Sequence, residues 1–174
     1  MRWASAAAVF LAIGAGALAP APVAAQDIQL ISITGDCERL VVRGFDFSLD
    51  CEGLLLQMNT MDGARTGFTV RLRNGSSIAF MGTHGLKPDA DSQFQDVDSV
   101  IFQFSADSNA NTIEATGLCG YSNPYLGPQI YTCLATSDDG EAYMLIFRTD
   151  GSDPLIEDGL AGGMPPPDQK RPNR

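Results

Sequence analysis

The sequence contains few of the residues that enzyme and metal sites usually require. His84 is the only histidine, so no second imidazole can share a metal ion with it. The Gly-x-Ser-x-Gly, His-Glu-x-x-His, phosphate-loop and dinucleotide-binding patterns are also absent. We interpret His84 as a loop residue, because a general base needs a partner placed beside it. The sequence therefore predicts a non-enzymatic protein without a cofactor.

Basic residues are scarce as well. The chain has 11 Lys and Arg residues against 21 Asp and Glu residues, a formal net charge of −10 at pH 7. Nucleic-acid binding depends on Lys and Arg side chains that neutralise phosphates. We therefore expect no nucleic-acid partner, and we attribute the acidity to solubility.

No long apolar run follows residue 25, and the one that precedes it is short. Residues 6–18 are apolar after Arg2, but a membrane span needs about 20 such residues. Val23 and Ala25 are small residues suited to cleavage after Ala25, so residues 1–25 are predicted to be a signal peptide. Loss of Arg2 leaves ten basic and 21 acidic residues, a net charge of −11. We expect a periplasmic or secreted protein with no membrane span after cleavage.

Four cysteines occur in two matching frames. Thirteen residues separate Cys37 from Cys51 and also Cys119 from Cys133, and a Thr-Gly pair precedes the first cysteine of each frame. Three pairings are possible. The repeated frame favours Cys37–Cys51 and Cys119–Cys133, because a duplicated unit would contain its own disulfide, and disulfides persist after export. A four-cysteine zinc site is the alternative, but its ligands usually come two to four residues apart.

The remaining pattern is one of short strands and turns. Phe68, Val70 and Leu72 alternate with polar residues, and another apolar run begins at Ile78. Asn74-Gly75 lies between these runs and predicts a tight hairpin in which both turn residues have positive φ.

No segment after residue 25 shows convincing helical periodicity, so we predict an all-β fold. The expected architecture is an antiparallel sandwich or barrel of about nine or ten short strands, built from two pseudo-repeated, disulfide-stapled halves. A single domain would span residues 26–151, with pseudo-repeats around 28–82 and 111–151. Residues 152–174 are rich in Pro and Gly and are predicted to be a disordered tail.

Both disulfide-closed loops contain aromatic residues. A closed loop loses less entropy on binding, and tyrosine is a favoured interface residue. Candidate binding residues are therefore Phe45, Phe47, Tyr121, Asn123 and Tyr125. In the alternative interpretation, the rings fold back over the sulfurs and the sheet as extra apolar cover.

Two other chemistries remain as alternatives. Asp107, Asn109 and Asn111 have the spacing of the first calcium ligands of an EF-hand, but Thr112 replaces the required glycine and Leu118 the final glutamate. Such turns usually satisfy their own backbone through Asx hydrogen bonds. No resident metal is expected, and calcium would bind at most weakly in a structural role. Two converging carboxylates would instead make an envelope-glycan hydrolase.

The segment from Cys119 to Cys133, with Asn-Pro-Tyr-Leu-Gly-Pro at residues 123–128, resembles an uncharacterised set of small exported bacterial proteins of alphaproteobacterial type. Residues 62–68 resemble their middle portion. This resemblance implies export and a bacterial source, and it transfers no catalytic or binding residue. The sequence thus predicts an exported binding or interaction protein of the bacterial envelope, with an envelope or periplasmic protein as a possible partner.

Overall fold

A computed structural model describes residues 28–60, 62–105 and 108–157. These residues form ten strands and two single-turn 3₁₀ helices, Ser48–Asp50 and Pro124–Leu126, with no α-helix among them. In chain order the strands are β1 Ile28–Val42, β2 Phe45–Asp46, β3 Cys51–Thr60, β4 Arg65–Leu72, β5 Ser77–His84, β6 Ser92–Gln103, β7 Asn111–Ser122, β8 Ile130–Ser137, β9 Ala142–Thr149 and β10 Leu155–Glu157.

The long first strand closes the sheet into a barrel. Residues 28–34 of β1 pair with β3, whereas residues 35–42 pair with β9. Every strand between β3 and β9 pairs antiparallel with its neighbour in the chain, which gives a closed eight-stranded barrel. The short strands β2 and β10 pair with β1 outside this circle. The all-β prediction is confirmed. Of the two predicted architectures, a sandwich and a barrel, the barrel is correct.

Alternating side chains fill the middle of the barrel. In β4, Phe68, Val70 and Leu72 point inward and are almost completely buried, as the sequence pattern predicted. Phe80, Val100 and other fully buried side chains pack against them. An eight-stranded barrel is just wide enough for side chains to fill or for one small ligand. Here the described side chains fill its centre, which leaves no room for a ligand there.

Both disulfides form as predicted, one in each half of the chain. The glycine two residues before each first cysteine has the same role at matched positions. A Cβ atom on Gly35 would lie 2.1 Å from the Arg148 carbonyl oxygen, and one on Gly117 would lie 2.0 Å from that of Leu134. A neighbouring strand therefore approaches each frame so closely that only glycine fits.

The predicted hairpin is present, but its turn differs from the prediction. Gly75 has a φ of 84°, whereas Asn74 does not have positive φ, and the Gly75 amide donates to the Leu72 carbonyl 2.9 Å away. The two-residue turn with positive φ at both positions is instead Arg43-Gly44, with φ of 52° and 81°. A longer turn joins β4 to β5 because its glycine, and not its asparagine, takes the left-handed conformation.

Two boundaries also differ from the sequence interpretation. His84, interpreted from the sequence as a loop residue, is instead the last residue of β5 and pairs with Gln95 of β6, and the loop between these strands covers residues 85–91. Residues 155–157, assigned to the tail, form β10 beside β1. The predicted signal peptide and residues 158–174 lie outside the described residues. Within the described part of the chain, no helix has the length and apolar character that a membrane crossing requires.

Candidate functional site

The two disulfide-closed loops lie at opposite ends of the barrel. Strands β1, β4, β6 and β8 finish at the end where the Cys37–Cys51 loop projects. Strands β3, β5, β7 and β9 finish at the other end, where the Cys119–Cys133 loop projects. The five candidate binding residues are therefore divided between two separate sites, each with its own cavity.

A cavity of about 530 Å³ opens at the first end. Four phenylalanine side chains line it and define the phenylalanine cup: Phe45, Phe47, Phe102 and Phe104. Phe47 and Phe102 pack against the barrel core, whereas Phe45 is 71% exposed and Phe104 is 66% exposed. The rings of Phe102 and Phe104 meet edge to face, with centroids 4.5 Å apart. The cup thus has a floor continuous with the core and an aromatic rim open to solvent.

Charged groups on the cup's rim already have partners. Arg43 lies 3.4 Å from an Asp139 carboxylate oxygen and 3.9 Å from one of Glu141. Arg43 and Glu141 line the cup beside its apolar walls of Val42 and Ile113. The rim therefore has no unpaired charge from this cluster, and the interior of the cup is suited to an apolar group.

A smaller cavity, of about 170 Å³, opens at the other end. We call it the tyrosine pocket after Tyr121 and Tyr125, which line it together with polar side chains. Ten further residues contribute to its lining: Ile31, Gln57, Lys87, Ala90, Asp91, Ser92, Gln93, Ser122, Asn123 and Pro124. Tyr125 is 49% exposed, whereas Tyr121 packs against the core.

Asn123 shapes the rim of the tyrosine pocket. Its side-chain oxygen accepts from the Tyr125 amide at 3.1 Å and so caps the short helix Pro124–Leu126. Its side-chain amide donates to Asp91 at 3.3 Å, and its backbone amide donates to the Asp91 carbonyl at 2.7 Å. Asn123 therefore joins the disulfide-closed loop to the loop before β6 and positions Tyr125.

Polar side chains continue from the tyrosine pocket into the barrel. Gln57 lines the pocket and donates to Asn59 at 3.4 Å, and the Thr66 hydroxyl donates to the same Asn59 oxygen at 2.8 Å. Gln95 is fully buried and donates to the Thr66 carbonyl at 3.2 Å. The core at this end is thus partly polar, unlike the floor of the phenylalanine cup.

Three buried polar atoms at this end have no hydrogen-bond partner among the described residues: Gln95 Oε1, Tyr121 Oη and Tyr131 Oη. The Tyr121 ring stacks on that of Tyr131, with centroids 5.7 Å apart. Burial raises the pKa of Tyr121 to about 12, although the Thr66 side chain lowers it slightly. Burial raises the pKa of Tyr131 even more. Both hydroxyls therefore stay protonated at neutral pH and can donate a hydrogen bond.

Carboxylates at the surface are engaged in turns and ion pairs. The Ser48 hydroxyl and amide lower the pKa of Asp46, and the amide of Asp91 lowers that of Asp89. Arg65 lowers the pKa of Asp98 through a two-pronged ion pair, with contacts of 2.8 and 2.9 Å. These groups remain ionised, whereas a general acid at neutral pH needs a raised pKa.

The candidate calcium residues do not form a described cluster. Asp107 lies outside the described residues, Asn109 is exposed, and Asn111 begins β7 and lines the phenylalanine cup. Groups of three or more His, Cys, Asp or Glu side chains placed to hold a metal ion do not occur within residues 28–60, 62–105 and 108–157.

No protein-family model, curated protein or solved structure matches this chain. The geometry of the two ends is therefore the basis for inferring function. Sequence reasoning identified the aromatic residues of both loops, but it missed Phe102, Phe104 and the buried Gln95. Phe102 lies near the end of β6, and nothing in the sequence shows that this strand ends beside the first loop.

Proposed function

We propose that the protein is an exported, non-enzymatic binding protein of the bacterial envelope that holds an apolar group in the phenylalanine cup. The supporting observation is the cup itself, which has an aromatic floor and two exposed rings beside a disulfide-closed loop. Small-molecule sites usually have 300–1,000 Å³ and mostly apolar walls with few polar groups, and the cup's 530 Å³ lies in that range. Export agrees with two disulfides, which persist in oxidising compartments.

The rigid scaffold favours this function physically. The Phe45 strand pairs directly with β1, and the disulfide Cys37–Cys51 closes the loop that contains it. A ligand therefore meets aromatic rings whose backbone is already ordered, which reduces the entropy lost on binding. The resemblance to small exported bacterial proteins adds support for export alone.

Fluorescence of the neutral apolar probe N-phenyl-1-naphthylamine tests this proposal. We expect saturable, blue-shifted emission that is weakened about tenfold or more in the double variant Phe45→Ala/Phe104→Ala. Leu49→Ala is the matched control, because Leu49 lies in the same closed loop and is 89% exposed but does not line the cup. Equal probe affinity in the double variant and the wild type would refute the proposal.

A protein that presents an apolar side chain could occupy the same cup. Cross-linking capture of the disulfide-intact protein from envelope and periplasmic extract tests this form of the proposal. A partner lost in Phe45→Ala/Phe104→Ala, but retained in Leu49→Ala, would identify the cup as its contact site. A partner lost instead on replacement of Tyr121 and Tyr125 would locate recognition in the second loop.

The glycan hydrolase and the calcium-stabilised structural protein receive less support. The phenylalanine cup is lined by one carboxylate, Glu141, and the tyrosine pocket by one, Asp91. A glycosidase needs two carboxylates facing each other across the bond to be cleaved. Calcium binding remains testable as a rise in melting temperature at millimolar calcium.

A further inference from the structure

The tyrosine pocket differs from the phenylalanine cup in the chemistry of its walls. Its described lining combines two tyrosine rings with the amides of Gln57, Gln93 and Asn123 and with two serine hydroxyls. Amides and hydroxyls each supply donors and acceptors. The pocket can therefore form hydrogen bonds of both kinds with a ligand while its rings cover an apolar face.

Unpaired polar atoms lie along the same part of the barrel. Tyr121 belongs to the pocket wall, and its buried hydroxyl has no partner among the described residues. Tyr131 stacks on Tyr121, is fully buried, and its hydroxyl is also unpaired. Both hydroxyls are buried away from the cavity, so the polar contacts of a ligand would come from the lining amides and serine hydroxyls.

We propose that the tyrosine pocket binds one uncharged sugar unit. Sugar hydroxyls donate and accept, which matches the mixed lining, and the C–H face of a sugar ring packs well on an aromatic ring such as the half-exposed Tyr125. The cavity of about 170 Å³ holds a single ring with its substituents and not a chain of them. This site is separate from the phenylalanine cup and does not depend on the function proposed for it.

The charges at the rim favour an uncharged ligand. Lys87 and Asp91 have opposite signs and both line the pocket, so neither sign of ligand charge is strongly selected. The Asp91 carboxylate also accepts from the Asn123 side chain. The pocket's amides bond to neighbouring residues, as Gln57 does to Asn59 and Asn123 to Asp91. Each amide keeps further hydrogen-bonding capacity, which a sugar can use and an apolar ring cannot.

Amide chemical-shift titration of the full, disulfide-intact protein tests the proposal. The probes are glucose, galactose, mannose and N-acetylglucosamine, with cyclohexanol as an apolar ring control and glycine as a zwitterion control. We expect saturable shifts at millimolar concentration of at least one sugar, confined to residues 31, 57, 87–93 and 121–125. Cyclohexanol and glycine should cause no such shifts.

Two variants and a control separate the roles of the rings. Tyr125→Ala should weaken sugar affinity at least tenfold, whereas Tyr121→Phe should leave it unchanged, because the Tyr121 hydroxyl is buried away from the cavity. Tyr143→Phe is the matched control, because Tyr143 is a buried tyrosine at the far end of the barrel. The amide spectrum of each variant away from the pocket verifies its fold. Absence of saturable shifts with all four sugars, equal shifts with glycine, or full affinity in Tyr125→Ala would overturn the proposal.

Discussion

The two disulfide-closed loops have the same length in sequence but present different surfaces. The Cys37–Cys51 loop ends beside an apolar cup of phenylalanine rings, and Cys37 is only partly buried. The Cys119–Cys133 loop borders a small polar pocket, and both of its cysteines are fully buried. The two frames therefore share the disulfide and its glycine, while the side chains around the two loops differ in chemistry.

Each loop nevertheless combines at least one packed ring with one exposed ring. Phe47 packs against the core while Phe45 projects into solvent, and Tyr121 packs against the core while Tyr125 is half exposed. The sequence left two interpretations of these rings, namely apolar cover for the core and exposed binding residues. Each interpretation thus applies to different rings of the same loop. A packed ring anchors each loop to the barrel, and its neighbour remains available for a ligand.

Removal of the disulfides should produce the largest difference between the two ends. Each bond closes a loop with a sequence separation of 14, so the chain-entropy model gives about 3 kcal/mol for either one. Replacing the fully buried Cys119 and Cys133 by alanine also loses packed volume, so we expect about 4 kcal/mol for this pair. Urea denaturation of both alanine double variants measures the difference.

The wild type under reducing conditions is the control for that comparison. Its loss of stability should approach that of the two double variants combined, because each disulfide acts at a separate end. A greater loss in Cys37→Ala/Cys51→Ala than in Cys119→Ala/Cys133→Ala would contradict the importance of burial at the second end.

The packed and exposed rings should separate stability from binding. Phe47→Ala and Tyr121→Ala should each lower the free energy of unfolding by about 3 kcal/mol, because their rings contact the core. Phe45→Ala and Tyr125→Ala should each change it by about 0.5 kcal/mol or less. Thermal denaturation of the four variants checks the pattern, and a large loss for Phe45→Ala would show that the cup's rim is structural.

Local patterns were sufficient to predict the all-β fold and both disulfides. Alternation placed Phe68 and Val70 inside the barrel, and the repeated cysteine frame gave the correct pairing. Turn chemistry was less certain, since the turn with two positive φ residues occurs at Arg43-Gly44 and not at Asn74-Gly75. A sequence pattern specifies that a turn exists more reliably than it specifies which residue takes the left-handed conformation.

The cavities could not be predicted, because each depends on which strand ends meet. Phe102 belongs to β6 and Phe104 is the first residue after it, and both are far in sequence from Phe45. Only the closure of the barrel brings them together. Gln95 is buried in the barrel interior because β6 begins at Ser92 and pairs Gln95 with His84, which the sequence had indicated to be a loop residue. The barrel closes because the first half of β1 pairs with β3 and the second half pairs with β9. No local sequence pattern indicates this pairing.

The smallest expected effect concerns the polar atoms inside the tyrosine end. Tyr131→Phe removes a fully buried hydroxyl that has no partner among the described residues, so the free energy of unfolding should rise by about 1 kcal/mol. Tyr143→Phe, at the phenylalanine end, should change it by less, because the Tyr143 hydroxyl is not one of the unpaired buried atoms. Urea denaturation of both variants without ligand measures this difference. A loss of stability in Tyr131→Phe would mean that ordered water already pairs with the hydroxyl, since buried water typically satisfies such groups.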